Sequence, residues 1–446
     1  MSTVEQDLSL ASRREARTTR AGLLNRIVIA CSGNVVEWYD FFAYAYTAIY
    51  FAGLFFPSGD RNSQLLATAG VFAVGFLVRP IGGWLFGRLA DRKGRKAAMM
   101  ISVSMMGLGS LCIAILPVYD TIGALAPLLL VIARLLQGMS VGGEYSASAI
   151  YMSEIAPPGR KSLFSSIQYA TIVLGQLLSL FTIVTLQQCL SADDMRLWGW
   201  RVPFAIGAAV SLIVIALRRN MVETLPAELG QRKEAGSIAH LLGYKHGALL
   251  VILFTAGGSL FFYTFGTYMQ KFLIGTVHLS PSVASLIMSV ALVAFMLQHP
   301  LCGLIGDRIG TKWMMIIFSG TATLTAAPIM LFMSSVSNPF VAFALVVAGL
   351  TITCFYTSIS GILKADLFPA EIRGLGVGLP HAIGNSLFGG SAEYVALTFK
   401  SFGHESYFFG YITLMAVATL LATLTMPDPR KFGHLTPVSG ERARQS

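Results

Sequence analysis

The sequence predicts an all-α membrane protein with twelve transmembrane helices, arranged as two pseudo-symmetric six-helix bundles. Three observations support this prediction: a strongly apolar composition, recurrent apolar stretches of membrane-spanning length, and a loop motif that occurs once in each half. Hydrophobic residues make up 54% of the 446 residues and charged residues 12%, and the mean hydropathy is +0.67. Because soluble domains carry about 25% charged residues, this composition is typical of a membrane protein.

Twelve apolar stretches are long enough to cross a bilayer, which takes about 20 residues of helix. The first is not a cleaved signal, because its apolar run continues beyond Asp40 and no small-residue cleavage site closes it. In chain order the stretches are 24–54, 64–88, 97–117, 123–153, 162–188, 199–217, 247–272, 281–304, 312–333, 338–362, 374–399 and 405–426.

The distribution of basic residues predicts the orientation. Most of the 32 Lys and Arg residues lie in the two tails and in the connections that follow even-numbered stretches. Because basic loops stay in the cytoplasm, both termini are predicted to be cytoplasmic. The net charge of +10 then requires no nucleic acid, and the lipid bilayer is the expected partner. The predicted division is a tail at 1–22, a bundle at 23–217, a cytoplasmic central loop at 218–246, a second bundle at 247–426 and a tail at 427–446.

A short loop motif is repeated in the two halves. GRLADRKGRK at 87–96 is echoed by GLIGDRIGTK at 303–312, so that Gly, Asp, Arg, Gly and Lys recur at one fixed offset. Duplicated helical halves with a substrate site between them are the architecture of many secondary transporters. The repeat therefore predicts a transporter with its site between the bundles.

Four further motifs narrow the class of transporter. GNVVEWYDFF at 33–42, FLVRPIGGWLFGR at 76–88, RLLQGMSVGGEY at 134–145 and YMSE at 151–154 together resemble the metabolite:proton symporter branch of the major facilitator superfamily. The resemblance implies a monomeric symporter of the bacterial inner membrane that imports 2-oxoglutarate or a closely related dicarboxylate with protons, by alternating access and without a cofactor. The alternatives are a symporter of the same branch for citrate, shikimate, proline or betaine, and an uncoupled facilitator.

The repeated loop is also the conformational latch that the resemblance implies. Gly87 would let a neighbouring helix approach closely, while Asp91 and Gly94 suit a tight turn into the third helix, whose positive start favours a carboxylate. The basic residues would hold the loop at the anionic leaflet, although plain positive-inside anchoring explains each of them as well. The predicted latch residues are Gly87, Asp91, Arg92, Gly94 and Arg95, with Asp307 and Gly310 in the second copy.

Acidic residues occur inside two of the predicted helices. Glu37 and Asp40 are three residues apart and so share one helix face. A charge at the bilayer centre costs roughly 2.5–3.5 kcal/mol, which indicates a proton- or substrate-handling role; the alternative is a buried pair that only holds helices together. With Glu144 as a third candidate, we expect one of these acids to be the proton-coupling carboxyl, Asp40 first. The resemblance links Arg134 to the same step.

Two arginines, Arg79 and Arg134, are the basic residues that the stretches place well inside the membrane. A guanidinium stays protonated and binds a carboxylate through two parallel hydrogen bonds, so the pair suits a dicarboxylate; the alternative is a structural ion pair with a nearby acid. His299 and His381 are further candidates as proton carriers or as bridges between helices. The remaining predicted substrate-binding residues are Tyr44, Gln168, Tyr263, Tyr268 and Asn385, with core packing as the alternative for the tyrosines.

Electrostatics make proton coupling necessary for accumulation of a dianion. Each negative charge that enters a negative-inside cell opposes about 2.3 kcal/mol per 100 mV, so cations must travel with it. No phosphate loop, metal-ligand spacing or nucleophile motif occurs in the sequence. We therefore expect no enzyme activity and no metal, and the short tails argue against a membrane sensor with a soluble output domain.

Overall fold

The protein is built from helices. The computed structural model describes residues 3–57 and 61–435, and within those ranges all regular secondary structure is helical. Short helices at Tyr119–Ile122, Ala192–Leu197, Ala227–Gly230, Ile238–Leu242 and Pro429–Phe432 lie in the connections. The long helices are α1 (Thr3–Phe55), α2 (Ser63–Lys93), α3 (Arg95–Ile115), α4 (Leu125–Ile155), α5 (Lys161–Cys189), α6 (Val202–Arg218), α7 (Lys245–Gly275), α8 (Pro281–Ile309), α9 (Thr311–Ser334), α10 (Pro339–Ala365), α11 (373–401) and α12 (Glu405–Thr425).

These helices confirm the twelve-helix prediction, since each overlaps one predicted stretch. Ten of them are long and apolar enough to span a membrane by length and composition alone. The other two helices of the described chain are α1, which carries the polar N-terminal residues, and α11, which is interrupted.

Three of the long helices change geometry near their middle. In α2, helical segments meet at Val78, just before Pro80, which lacks a backbone N–H to donate. A π-helical turn at Thr264–Tyr268 interrupts α7, and another at Asn385–Gly389 interrupts α11. Turns of this kind occur frequently at functional sites, and all three interruptions lie next to residues of the site described below.

The chain forms two bundles, α1–α6 and α7–α12, that meet along two seams. One seam pairs α2 with α11 and the other pairs α8 with α5. In both seams the second helix of one half packs against the fifth helix of the other half. Glycines allow the close approach: a Cβ on Gly83 would lie 2.6 Å from the carbonyl oxygen of Gly378, and one on Gly87 would lie 2.8 Å from that of Gly374. The second seam has its counterpart at Gly303, where a Cβ would meet the Ser166 hydroxyl at 2.3 Å.

The boundaries of the bundles differ slightly from the prediction. The helix α1 begins at Thr3 and therefore runs through most of the predicted tail 1–22. Arg218, which we assigned to the central loop, is the last residue of α6, and its side chain is fully buried in the first bundle. Of the predicted tail 427–446, residues 436–446 lie outside the described part of the chain.

One face of the molecule carries the connections that follow α2, α4, α6, α8 and α10, and we call it the terminal face. The segment after α12 folds back along it. The backbone N–H of Leu435 donates to the Asp366 carboxylate at 2.7 Å, and the Lys161 ammonium at the start of α5 donates to the Leu435 carbonyl oxygen. Burial raises the pKa of Asp366, which lies in the connection from α10 to α11. The segment after α12 thus connects the second half to the first.

Candidate functional site

A small cavity lies between the two halves. Its volume is about 30 Å³, enough for a few water molecules at about 10–15 Å³ each, so a larger solute enters only if the surrounding side chains move apart. Both halves contribute to its wall, through α1, α2, α4 and α5 on one side and α7, α10 and α11 on the other. The polar and aromatic lining residues are Trp38, Arg79, Tyr145, Tyr169, Ser259, Phe262, Tyr263, Tyr356, Ser360, His381 and Asn385.

Arg79 is the cation of the first half in this cavity. Its Nη1 donates to the Tyr263 hydroxyl at 3.4 Å, and its guanidinium lies 3.9 Å from the centre of the Phe76 ring. The side chain is buried, and among the described residues no carboxylate forms an ion pair with it. A buried guanidinium that is held by aromatic rings and a tyrosine has donors left for an anion.

Lys364 is a cation of the second half that our sequence analysis missed, because we assigned it to a connection. It lies in the last turns of α10 and is fully buried. The prediction that Arg79 and Arg134 are the basic residues deep in the protein was therefore incomplete. A signal was available: Tyr356, Ser360 and Lys364 are spaced four residues apart, and so share one face of a helix.

Four neutral side chains surround the Lys364 ammonium. It donates to the Ser360 hydroxyl at 2.8 Å, the Tyr356 hydroxyl at 2.9 Å, Nδ1 of His381 at 3.0 Å and the Tyr145 hydroxyl at 3.4 Å. Tyr145 comes from α4 in the first half and also hydrogen-bonds Ser360 at 2.7 Å. All four partners line the central cavity, so the ammonium lies directly behind its wall.

Asp40 is fully buried in the first half and belongs to a hydrogen-bond chain that reaches Arg134. The Ser110 hydroxyl donates to the Asp40 carboxylate and accepts a hydrogen bond from the side-chain Nε2 of Gln137 at 2.9 Å. Arg134 in turn donates to the side-chain Oε1 of Gln137 at 2.8 Å. On the other side, a Cβ at Gly207 of α6 would lie 1.8 Å from Asp40 Oδ1. The structure thus brings together Asp40 and Arg134, which the sequence suggested for one step.

The two other acids have different surroundings. Glu144 forms an ion pair with Arg218 and accepts a hydrogen bond from the Ser102 hydroxyl at 2.7 Å. The ion-pair partner of Glu144 is therefore Arg218, and not Arg79 or Arg134, which we had considered as ion-pair partners for the buried acids. Glu37 accepts a weak hydrogen bond from Ser140 at 3.4 Å, and its Oε2 has no partner in the described part of the chain.

The predicted substrate-binding residues separate into two groups. Arg79, Tyr263 and Asn385 line the central cavity. Arg134 does not line the central cavity. It lines a smaller adjoining pocket together with Arg79, Phe41, Gln137 and Gly138.

Three other predictions of substrate contact find no support in the geometry. Tyr44 stacks against the Arg134 guanidinium at 4.3 Å and donates to a backbone carbonyl. Gln168 donates to the Ser148 hydroxyl at 3.3 Å, and Tyr268 donates to Glu405 at 3.3 Å. None of the three lines the central cavity, because each side chain points into the interior of its own bundle or toward a bundle end.

The repeated loop binds across the seams, and this corrects our assignment of Asp91 to the start of α3. The Asp91 carboxylate accepts hydrogen bonds from the backbone N–H groups of Gly374 (2.7 Å) and Leu375 (2.8 Å) at the start of α11. In the second copy, the Asp307 carboxylate accepts from Ser162 (2.7 Å) and Leu163 (3.3 Å) at the start of α5. Each carboxylate thus lies at the positive end of a helix in the opposite half.

The start of α3 is capped by a residue of the central loop. The Glu223 carboxylate accepts from the backbone N–H groups of Arg95 at 2.9 Å and Lys96 at 3.1 Å. The glycines before α3 and α9, Gly94 and Gly310, have φ values of 101° and 95°, which favour glycine. Arg92 donates to the Ala235 carbonyl oxygen at 3.0 Å, also in the central loop.

Arg95 is fully buried, so our expectation that it lies at the leaflet surface is wrong. It forms ion pairs with Asp91 at 3.3 Å and with Glu154 at 3.2 Å. Glu154 also pairs with Arg373 of the second half at 2.8 Å. The carboxylate of Glu154, at the end of α4, therefore joins two cations from different halves and closes the terminal face.

The cavity is closed on the opposite side as well. The Ser386 hydroxyl, within the π-turn of α11, donates to the Phe76 carbonyl oxygen at 2.6 Å, and a Cβ at Gly390 would lie 2.4 Å from the Phe76 ring. With contacts between the halves on both sides, the cavity is sealed in this conformation. Access to it requires that one set of contacts opens.

Together, the fold and the site define a multi-pass membrane transporter, in which two halves enclose a closed cavity that is polar at its wall. The family model of the Major Facilitator Superfamily matches residues 41–392 and 259–443. The chain belongs to the Major Facilitator Superfamily.

Curated relatives and solved structures agree with that family. The chain is 53% identical over 425 residues to the alpha-ketoglutarate permease of Escherichia coli (strain K12), covering 95% of this chain and 97% of the relative. It is 32% identical over 384 residues to a citrate-proton symporter of Salmonella typhi, covering 84% and 86%. Among solved structures, the proton:xylose symporter XylE bound to 6-bromo-6-deoxy-D-glucose superposes with a TM-score of 0.72 at 18% identity, covering 91% of this chain and 96% of the other. These relatives are transporters, which confirms that class over an enzyme.

Proposed function

We propose that this protein imports 2-oxoglutarate, or a closely related dicarboxylate, together with protons. The observation that carries the proposal is Arg79: a buried guanidinium that forms no ion pair with an acid of the described chain, at a cavity with no carboxylate among its described lining residues. A buried charge is costly unless it is paired, so this arrangement favours an anionic ligand. The identity of 53% with an alpha-ketoglutarate permease supports 2-oxoglutarate among possible anions, ahead of the citrate of the more distant relative.

Asp40 is the proposed proton-coupling carboxyl, as the sequence suggested. Asp40 is buried like Glu37 and Glu144, but it differs from Glu144 in having no cation in direct contact, and from both in its hydrogen-bond chain to Arg134. Glu144 is less suitable because Arg218 already neutralises it. Burial disfavours a bare carboxylate, so a proton taken up from one side can be carried in this position.

Side-chain packing supports a direct link between the proton site and the substrate site. Arg79 and Arg134 both line the adjoining pocket, and the Phe41 ring lies 4.9 Å from the first guanidinium and 5.9 Å from the second. When Asp40 releases its proton, Arg134 gains a nearby anion to pair with. In the proposed coupling, movement of Arg134 toward Asp40 changes the packing around Arg79. The affinity of Arg79 for the substrate changes as a result.

The repeated loops are the proposed conformational latch, and the terminal face is proposed to lie in the cytoplasm. On this assignment both termini and the central loop are cytoplasmic, with Arg218 now counted in the first bundle, and the membrane is the bacterial inner membrane. The protein is proposed to work as a monomer. Rocking of the halves about the cavity, with Asp91 and Asp307 released when the terminal face opens, gives alternating access.

Uptake into proteoliposomes tests the proposed function. Purified protein is reconstituted, and labelled 2-oxoglutarate is offered with an inward proton gradient, without a gradient, and with a protonophore; protein-free liposomes are the control. We expect accumulation above the external concentration only with the gradient, competed by succinate more strongly than by citrate, shikimate or proline. Uptake that never exceeds equilibration would identify a facilitator, and stronger competition by a zwitterion such as proline would overturn the dicarboxylate assignment.

A further inference from the structure

The Lys364 cluster consists of Lys364, Tyr356 and Ser360 of α10, His381 of α11 and Tyr145 of α4. The ammonium is fully buried and makes four contacts, all with neutral groups, at 2.8–3.4 Å. No carboxylate of the described chain forms an ion pair with it. Hydrogen bonds to hydroxyl and imidazole groups hold the ammonium in place, but they leave its charge without a counterion.

Three other buried cations have an acid in direct contact. Arg218 has Glu144, Arg95 has Asp91 and Glu154, and Arg373 has Glu154. None of these residues lines the central cavity. Arg134 forms no ion pair within the described chain, but hydrogen bonds through Gln137 and Ser110 link it to Asp40. Arg79 and Lys364 are the buried cations at the central cavity, and no acid of the described chain forms an ion pair with either.

We infer that the Lys364 cluster is the subsite for the second carboxylate of the transported dicarboxylate, while Arg79 holds the first. Arg79 belongs to the first half and Lys364 to the second, so a ligand with an anionic group at each end binds both halves at once. The side chains of Tyr145, Ser360 and His381 form the wall between the ammonium and the cavity, and they supply hydrogen-bonding groups of their own.

The weakest contact of the ammonium shows where the carboxylate would bind. The distance of 3.4 Å to the Tyr145 hydroxyl is the longest of the four, and Tyr145 is the one partner contributed by the first half. A carboxylate that takes this position accepts a hydrogen bond with opposite charges on donor and acceptor, which is stronger than the bond from the ammonium to a neutral hydroxyl that it replaces. The bond between the halves would then run through the substrate.

This subsite would select for the length and charge of the ligand. Five-carbon acids with one carboxylate could satisfy Arg79 but would leave Lys364 without an anion. A site with a buried polar group left unpaired rejects the incomplete ligand. Lys364 is thus inferred to determine the preference for dicarboxylates over monocarboxylates.

Competition between two ligands of equal carbon number tests the inference, which rests on the proposed function. Uptake and equilibrium binding of labelled 2-oxoglutarate are measured with purified wild type, Lys364→Met and Lys364→Gln. Unlabelled 2-oxoglutarate and 2-oxopentanoate, which lacks the distal carboxylate, are the competitors. We expect wild type to favour 2-oxoglutarate by about tenfold or more, the equivalent of one charge-assisted hydrogen bond. In both variants the affinity for 2-oxoglutarate should fall to that for 2-oxopentanoate.

The outcomes separate the subsite from the proposed function. If wild type neither binds nor transports 2-oxoglutarate, the proposed function fails and the subsite fails with it. If wild type does so and a folded Lys364 variant keeps the wild-type ratio between the two competitors, the subsite alone is overturned. The matched control is Lys271→Met, because Lys271 is 57% exposed and pairs with Glu393 away from the cavity; its ratio should equal that of wild type. The Gln variant decides the question if the Met variant does not fold.

Discussion

The carboxylate of Asp91 accepts a hydrogen bond from the backbone N–H of Gly374 at 2.7 Å, across the seam between the two halves. The absence of a side chain at Gly374 makes this contact possible, because a Cβ there would lie 2.6 Å from an Asp91 carboxylate oxygen. A carboxylate at a helix start is stabilised by the unpaired N–H groups and the helix dipole. The contact therefore stabilises the conformation in which the terminal face is closed.

Replacing this carboxylate should open the terminal face. In Asp91→Asn the charge is lost and one of the two acceptor oxygens becomes a donor, which costs about 1–3 kcal/mol. Ser146 is buried beside Gly378 in the same seam, so a Ser146→Cys reporter, in a background without the five native cysteines, should react with a water-soluble maleimide when this face opens. We expect its labelling rate to rise roughly fivefold or more.

The second copy of the loop provides the comparison. Asp307 binds two backbone N–H groups but forms no ion pair within the described chain, whereas Asp91 also pairs with Arg95 at 3.3 Å. Asp307→Asn should therefore raise the labelling of the same reporter less than Asp91→Asn. Equal labelling in wild type and Asp91→Asn would contradict the latch assignment.

A methyl group added at Gly207 should disable the proposed proton site. Its Cβ would lie 1.8 Å from Asp40 Oδ1, so that the carboxyl must move away from Ser110. Proton-driven uptake in Gly207→Ala should fall by an order of magnitude or more, measured beside thermal unfolding in detergent. Gly320→Ala is the matched control, since nothing lies within 4 Å of its Cβ; there we expect wild-type uptake and at most a small gain in helix stability. Wild-type uptake in Gly207→Ala would argue against a confined carboxyl.

Asp40→Asn should separate exchange from accumulation. The amide imitates the protonated acid and cannot release a proton, so the protein should still exchange internal for external 2-oxoglutarate. Accumulation driven by a pH gradient should be lost. Counterflow and gradient-driven uptake measure the two activities in the same proteoliposomes. If Glu37→Gln or Glu144→Gln shows this pattern and Asp40→Asn accumulates substrate normally, the coupling site has been placed on the wrong acid.

The buried pair of Glu144 and Arg218 should contribute to stability far more than an exposed pair. Both side chains are within 1% of complete burial, and removing one partner of such a pair costs about 3–5 kcal/mol because the other charge stays buried. We expect Glu144→Gln and Arg218→Met each to lower the unfolding temperature clearly, and the double variant to recover part of the loss.

The pair of Lys271 and Glu393 is the comparison for that cycle. Its side chains are 57% and 35% exposed, and exposed pairs contribute about 0–1 kcal/mol. Lys271→Met should therefore leave the unfolding temperature almost unchanged. A loss in Lys271→Met as large as that in Glu144→Gln would show that burial is not what gives the interior pair its effect.

Much of the fold could be predicted from local sequence, because hydrocarbon requires long helices whose backbone bonds are satisfied internally. All twelve stretches became helices, and the repeat of Asp91 in Asp307 indicated two related halves. The partners of these aspartates could not be predicted in this way. Asp91 binds α11, more than two hundred residues away in the sequence, and only the seam between the halves brings the two together.

The site shows the same division at the level of single side chains. The sequence by itself determined the class of protein, the presence of Asp40 and Glu37 within a helix, and the place of Arg79 within another. Only the tertiary structure decided that Arg218 neutralises Glu144 and that Lys364 is buried behind the cavity, where no acid of the described chain pairs with it. The physical reason is that helical periodicity specifies which residues share a face, whereas the counterion of a buried charge depends on the neighbouring helix that packs against that face.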